Sequence, residues 1–221
     1  MPVRTVRSHG RNVIGFFPSR KMGGMIQFES TIERDCLFFL DYDADVVSFE
    51  EQPFAIAYTK GRKQLQYTPD FRVMLADEMT VIVECKASRF VDTAENQQKF
   101  KVGRAYCDQH GWQYVVITDD TLRQNGFIDN VRLLTQHARH TIDVITQSAV
   151  FTALASTTRP LTMADVMTKL NPDHPQQLVT PLLNMAFHHH VYIPLDRGKI
   201  TAQSPIYLEN PHGKTTIFNG M

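Results

Sequence analysis

Residues 65–86 read LQYTPDFRVMLADEMTVIVECK. Two apolar runs flank the polar turn Ala76-Asp77-Glu78, which predicts a hairpin with strands over 65–75 and 81–86. Side chains two apart on a strand share a face, so Glu84 and Lys86 point one way and Cys85 the other. With the turn centred on Asp77, Asp70 stands opposite Glu84, their Cβ atoms roughly 4.5–5.5 Å apart. Two carboxylates and an ammonium then converge on one patch. A surface ion pair between Glu84 and Lys86 is the plainer reading, but like charges directly opposite on a solvent-facing hairpin are destabilising. A divalent cation between them removes the conflict, and hard oxygen ligands select Mg²⁺ or Mn²⁺. Lys86 beside such an ion can orient or help deprotonate a water and offset charge on a phosphorane-like transition state.

Upstream, Ser30 followed by Glu33 reads as a capping box, opening a helix with Ile32, Cys36, Leu37 and Leu40 on its apolar side and ending near Asp41–Asp43. Glu33 is the best candidate for a third acid at the patch, although its capping position alone accounts for it. Short strands are expected at 46–49 and 54–58, and Lys60, Arg62 and Lys63 flank a turn at Gly61. Downstream, 93–110 is a helix closed by Gly111 and carrying Lys99, Lys101 and Arg104 on its exposed side, 112–118 is a buried strand and 129–140 is helical. The order gives an α/β domain, a mixed sheet flanked by helices. Phe16 and Phe17 are expected in a strand core.

Past about 142 the pattern changes to helices over 142–154, 162–170 (capped by Thr162) and 175–187, then a small hairpin from 191–195 and 199–201 around Asp196-Arg197-Gly198. That is the winged-helix pattern. Such modules commonly bind DNA through the third helix, yet 170–196 contains no Lys or Arg to neutralise phosphate, so a protein-docking role is expected. His188, His189 and His190 diverge by ~100° per residue on a helix end and are poor joint metal ligands. The expected organisation is 1–142, 143–202 and a polar tail at 203–221.

The chain of 221 residues is 43% hydrophobic and 21% charged, an ordinary globular composition that excludes wholesale disorder. No apolar run reaches the ~20 residues that span a bilayer, and the start lacks a signal-peptide pattern, so a cytoplasmic protein is expected. Cys36, Cys85 and Cys107 are widely spaced and form no zinc or disulfide pattern. The net charge is zero, 23 bases against 23 acids, but the charge is segregated. Residues 1–28 hold Arg4, Arg7, Arg11, Arg20 and Lys21 and no acid, while 29–51 hold eight acids and only Arg34. A basic arm can neutralise phosphates and release counterions, although a solvated tail is as good an account of it. Arg62, Lys63 and Lys99 are further candidates for a nucleic-acid path.

The set Glu33, Pro69-Asp70 and Glu84-Cys85-Lys86, on helix, strand and strand, resembles the signature of the PD-(D/E)xK nuclease superfamily. FESTIERDCLFFLDYDADVVSFEEQPF, YTPDF, VIVECK and GWQYVVITDD together resemble TnsA, the endonuclease family of Tn-seven-like heteromeric transposases. The resemblance implies a restriction-endonuclease-like core in which Glu33, Asp70, Glu84 and Lys86 are catalytic. Glu33, Asp70, Glu84 and the Cys85 backbone carbonyl would hold Mg²⁺ or Mn²⁺, in all two ions. Some family members carry Gln where this chain has Glu84. It further implies hydrolysis of the 5′ strands at transposon ends beside the DDE transposase TnsB, with contacts to the AAA+ regulator TnsC. Two other readings stand: a lone nuclease of restriction or junction-resolving type, and a catalytically silent DNA- or partner-binding assembly module.

Overall fold

The computed structural model describes residues 13–211 and 218. In chain order its elements are β1 (Gly15–Ser19), β2 (Gly24–Phe28), α1 (Thr31–Tyr42), β3 (Val46–Glu51), β4 (Ile56–Lys60), β5 (Lys63–Tyr67), β6 (Phe71–Leu75), β7 (Thr80–Lys86), α2 (Ser88–Val91), α3 (Ala94–His110), β8 (Gln113–Thr118), α4 (Asp119–Arg123), α5 (Phe127–His137), α6 (Val144–Ala155), β9 (Leu161–Thr162), α7 (Met163–Leu170), α8 (Val179–Phe187) and β10 (Pro205–Ile206). The chain forms two compact units that divide between Leu122 and Arg123, with Phe218 belonging to the first.

The first unit is built on a four-stranded mixed sheet of order β3-β6-β7-β8, antiparallel except for the parallel β7–β8 pair. Position β7 has a neighbour on each side, and Val81 to Cys85 are all buried, as a central strand of continuous apolar character requires. Helix α1 packs against β7 and α3 against β8. Ser30 caps α1, its hydroxyl accepting from the Glu33 N–H, and the Cys36, Leu37, Phe39 and Leu40 side chains are buried beneath it. Truncating the fully buried Leu37 to Ala would cost ~2–5 kcal/mol.

The acid-rich stretch after Phe28 is put to structural use. Asp41, 4% exposed, accepts hydrogen bonds from the Ser19 hydroxyl and from the N–H groups of Arg20 and Lys21, closing the β1–β2 turn onto the end of α1. Lys21 reaches the same helix end, where its ammonium donates to the carbonyls of Leu40 (2.9 Å) and Asp43. Burial pulls Lys21 down to about 8 against the opposing charges of Asp43, Asp41 and Asp45.

Several expectations are corrected. The strand foreseen over 65–75 is two: β5 pairs with β4, β6 pairs with β3 and β7, and Pro69, which cannot donate to a ladder, lies in the break. Phe17 is buried but Phe16 is 62% exposed, because neighbours on β1 face opposite sides. The strand at 112–118 begins at Gln113 and alternates buried and half-buried positions, as the edge of the sheet would.

The second unit packs α5 against α8 and α6 against α7. The divide expected near 142 leaves α5 with the first module. Instead α5 buries Ile128, Val131 and Leu134 within the second. Thr162 and Asp165 form a capping box on α7. The hairpin expected from 191–195 and 199–201 does not form. Buried Asn130 takes those backbone groups instead, donating to the Leu195 and Gly198 carbonyls (2.8 and 2.7 Å) and accepting from the Ile200 N–H at 3.0 Å. The antiparallel partners lie in the presumed tail: β10 pairs with β9, and Tyr192 bridges Tyr207. Phe218, farther along the same tail, is buried against Phe39 of the first unit. No helix among the described residues is long and apolar enough to cross a membrane.

Candidate active site

The β6–β7 register is Phe71 opposite Val83, Arg72 opposite Ile82, Val73 opposite Val81 and Met74 opposite Thr80. The pairing ends at Phe71, and Asp70 lies in a bend just before β6. Asp70 does not extend into solvent. Its Oδ2 accepts the Cys85 backbone N–H at 2.6 Å, which pins the carboxylate over β7.

Glu84 and Lys86 share a face of β7, and Lys86 Nζ lies 3.0 Å from Glu84 Oε1. The other Glu84 oxygen accepts from the Tyr67 hydroxyl at 2.7 Å, and that hydroxyl is also 2.7 Å from the hydroxyl of Tyr114. Glu84 and Tyr67 are only 3% and 4% exposed. Neither tyrosine was expected at the site. Tyr67 stands three residues before Asp70, but its role depends on the chain turning at Pro69. Tyr114 reaches the site only through the β7–β8 register, where it pairs with Ile82 two steps before Glu84 pairs with Val116.

Glu33 begins α1. Its two oxygens accept the Glu29 N–H at 2.7 Å and the Ser30 hydroxyl at 2.9 Å. The Glu29 carboxylate in turn accepts from the Gln52 side chain, and the Gln52 N–H donates to the Asp70 carbonyl at 2.8 Å. A continuous chain of hydrogen bonds thus ties the start of α1 to the entry of β6.

The electrostatics join the four expected residues. Burial, then the charges of Glu84 and Glu33, hold the Asp70 carboxyl well above the usual carboxylate range despite the Cys85 N–H and Lys86. Burial also raises Glu33, and the nearby charges of Glu29 and Glu84 add to it. For Lys86, burial works downward, but Glu84, by charge and hydrogen bond, and Asp70 outweigh it and leave the ammonium above its ordinary value. Burial, followed by the charge of Glu84, pushes the Tyr67 and Tyr114 phenols far up, so both keep their protons.

Buried Glu84, whose charge raises the carboxyls of half-buried Glu33 and Asp70, forms with them and the Lys86 ammonium a hard-oxygen donor set whose charge a divalent cation would offset. The donor chemistry fits Mg²⁺ or Mn²⁺. Each carboxylate is engaged by protein donors, however, and among the described residues no three His, Cys, Asp or Glu side chains are gathered into a cage for an ion.

The expected nucleic-acid contacts are dispersed. Arg4, Arg7 and Arg11 lie outside the described residues. Arg20 is exposed, whereas the Lys21 ammonium is committed to Leu40 and Asp43 rather than offered to phosphate. Arg62 and Lys63 are exposed at the β4–β5 turn. Lys99 pairs with Glu95 at 2.8 Å on α3. Glu95 also feels the charges of Lys60 and Lys86, so both bases lie near the start of α3.

Residues 43–119 match the model of the TnsA-like endonuclease N terminal family. No curated protein matches the chain. The matched span contains Asp70, Glu84, Lys86, Tyr67 and Tyr114, while Glu33 precedes it. The matched segment, residues 43–119 of the first unit, is thus similar to a TnsA-like endonuclease N-terminal domain.

Proposed function

We propose that this chain is the metal-dependent DNA endonuclease of a transposase complex, hydrolysing the 5′ strands at transposon ends while a DDE transposase of the TnsB type cuts the others. The observation that supports the reading is the pairing of Lys86 with Glu84 on β7 beside Asp70, whose carboxylate accepts the Cys85 N–H, with Glu33 close enough to feel the charge of Glu84. Glu33, Asp70, Glu84 and the Cys85 carbonyl would hold Mg²⁺ or Mn²⁺, up to two ions. When bound, such an ion supplies a water of lowered pKa and polarises a phosphoryl oxygen. Lys86 contributes a proton-bearing Nζ that can orient the attacking water and offset charge accumulating on the phosphate. Burial of Glu84 on β7 keeps its charge in a low-dielectric setting, where it acts more strongly than in water.

The second unit runs helix α6, strand β9, helices α7 and α8, a bridge at Tyr192 and strand β10. That order supports a winged helix, and the absence of Lys and Arg from 170–196 supports docking to protein, such as a TnsC-type AAA+ regulator. The rival reading, an assembly module without chemistry, draws on the engagement of every site carboxylate by protein donors. The discriminating experiment incubates the protein and its partner transposase with transposon-end DNA in Mg²⁺ or Ca²⁺. Asp70→Ala is expected to abolish 5′-strand nicking while assembly persists, and Ca²⁺ to permit binding without cleavage. Undiminished nicking by Asp70→Ala rejects the site, and cleavage without the transposase favours a lone nuclease.

A further inference from the structure

We propose that Tyr67 is a positioning residue for Glu84, holding its carboxylate oriented for a divalent cation, and that Tyr114 fixes Tyr67 in turn. The proposal rests on Glu84 being a cation ligand. Glu84 has a different partner on each oxygen: flexible, partly exposed Lys86 on Oε1 and buried Tyr67 on Oε2. Lys86 alone would hold the carboxylate poorly, because an ammonium on a four-carbon stem has many rotamers and is itself needed at the water. Tyr67 has two side-chain torsions and sits at the end of β5, outside the sheet that carries Glu84. Its hydroxyl approaches from a fixed direction.

A phenol has one proton to donate. With that proton on Glu84, Tyr67 accepts from Tyr114, so the donation runs Tyr114 to Tyr67 to Glu84. Tyr114 is itself confined. Its ring lies over Gly103 of α3, where a Cβ would come within 2.3 Å of the ring, and the Arg104 guanidinium lies 5.9 Å from the ring centre. Tyr67 of β5 thus reaches the carboxylate and is backed by Tyr114 of β8, which is held in turn by α3, an arrangement typical of the outer hydrogen bonds that aim a metal ligand. Two buried phenols that merely satisfied each other would affect folding stability and nothing else.

The test compares the full-length protein with its Tyr67→Phe and Tyr114→Phe variants, using Mn²⁺ as the probe. Mn²⁺ binding is measured by electron paramagnetic resonance with and without transposon-end duplex, alongside nicking kinetics and melting temperature. Tyr67→Phe is expected to weaken Mn²⁺ binding about 10–100-fold and to lower kcat, leaving KM for DNA unchanged. Tyr114→Phe should move the same quantities in the same sense by less. Mn²⁺ affinity and kcat at wild-type level in Tyr67→Phe, whatever its melting temperature, overturn the proposal. If Tyr67→Phe does not fold, unchanged Mn²⁺ affinity in Tyr114→Phe overturns it instead. Asp70→Ala separates the two levels of argument. Loss of Mn²⁺ binding there with none in Tyr67→Phe rejects only the tyrosine role, whereas retention in Asp70→Ala removes the cation reading beneath it.

Discussion

Helices α1 and α7 both open on a hydroxyl cap with an acid in the third helical position. At α7, the Thr162 hydroxyl accepts the Asp165 N–H at 3.1 Å and the Asp165 carboxylate accepts the Thr162 N–H at 2.9 Å. At α1, the Ser30 hydroxyl accepts the Glu33 N–H, also at 3.1 Å, and Glu33 reaches back to the Glu29 N–H. The local chemistry is nearly the same, but the surroundings are not. Asp165 faces water, and hydrogen bonds from Thr162 hold its carboxyl below the usual value. Glu33 is half-buried near Glu29 and Glu84, and its carboxyl is held above it. At α1 the capping arrangement sets the carboxyl near Glu29 and Glu84, whose charges raise its proton affinity, whereas at α7 the hydrogen bonds of the cap lower it.

Charge removal gives the largest expected contrast. Glu33→Gln keeps a capping side chain but takes the anion from the site, and nicking should fall on the order of 10²–10³-fold, the range for loss of one charge-stabilising group. Asp165→Asn should leave nicking unchanged. Equal activity in Glu33→Gln and wild type would make the α1 box as purely structural as the α7 one.

A smaller effect separates the hydroxyls. Ser30→Ala and Thr162→Ala should each cost about 0.5–2 kcal/mol of stability by denaturant unfolding. Only Ser30→Ala should also slow nicking, since its hydroxyl is one of the two donors on Glu33. The smallest effect is in the pH dependence. Asp165 binds its proton less readily folded than unfolded, so its stabilisation is complete above the ordinary carboxyl value of 3.8 and is lost as pH falls through the depressed folded value. The melting-temperature advantage of wild type over Asp165→Asn should therefore shrink only in strong acid. An advantage that shrinks on raising the pH instead would contradict the cap geometry.

The parts of the molecule legible in the sequence are those governed by short-range periodicity. Ser30, Thr162 and Gly111 mark helix ends because capping needs particular groups within four residues, and Asp77 sets the hairpin register because strand pairing is symmetric about its turn. What stayed hidden depends on distant chain. Tyr114 meets Tyr67 across 47 residues. Asn130 replaces a hairpin by bonding backbone 65 to 70 residues away. The two-residue strand β10 is too short to show a period, and Lys21, one base in a basic arm, is claimed by the end of α1.

The β6–β7 register also limits how this hairpin can change in length. Asp70 and Glu84 stand seven residues before and after Asp77, at equal distances from the turn. Residues added in pairs, one to each strand, lengthen the arms and leave Asp70 and Glu84 at equal distances from the turn. A single added residue on one arm slides that strand by one place and turns one carboxylate to the opposite face unless a bulge absorbs it. The hairpin behaves as a folding rule with its hinge at Asp77, and only even changes in its length keep the two marks aligned.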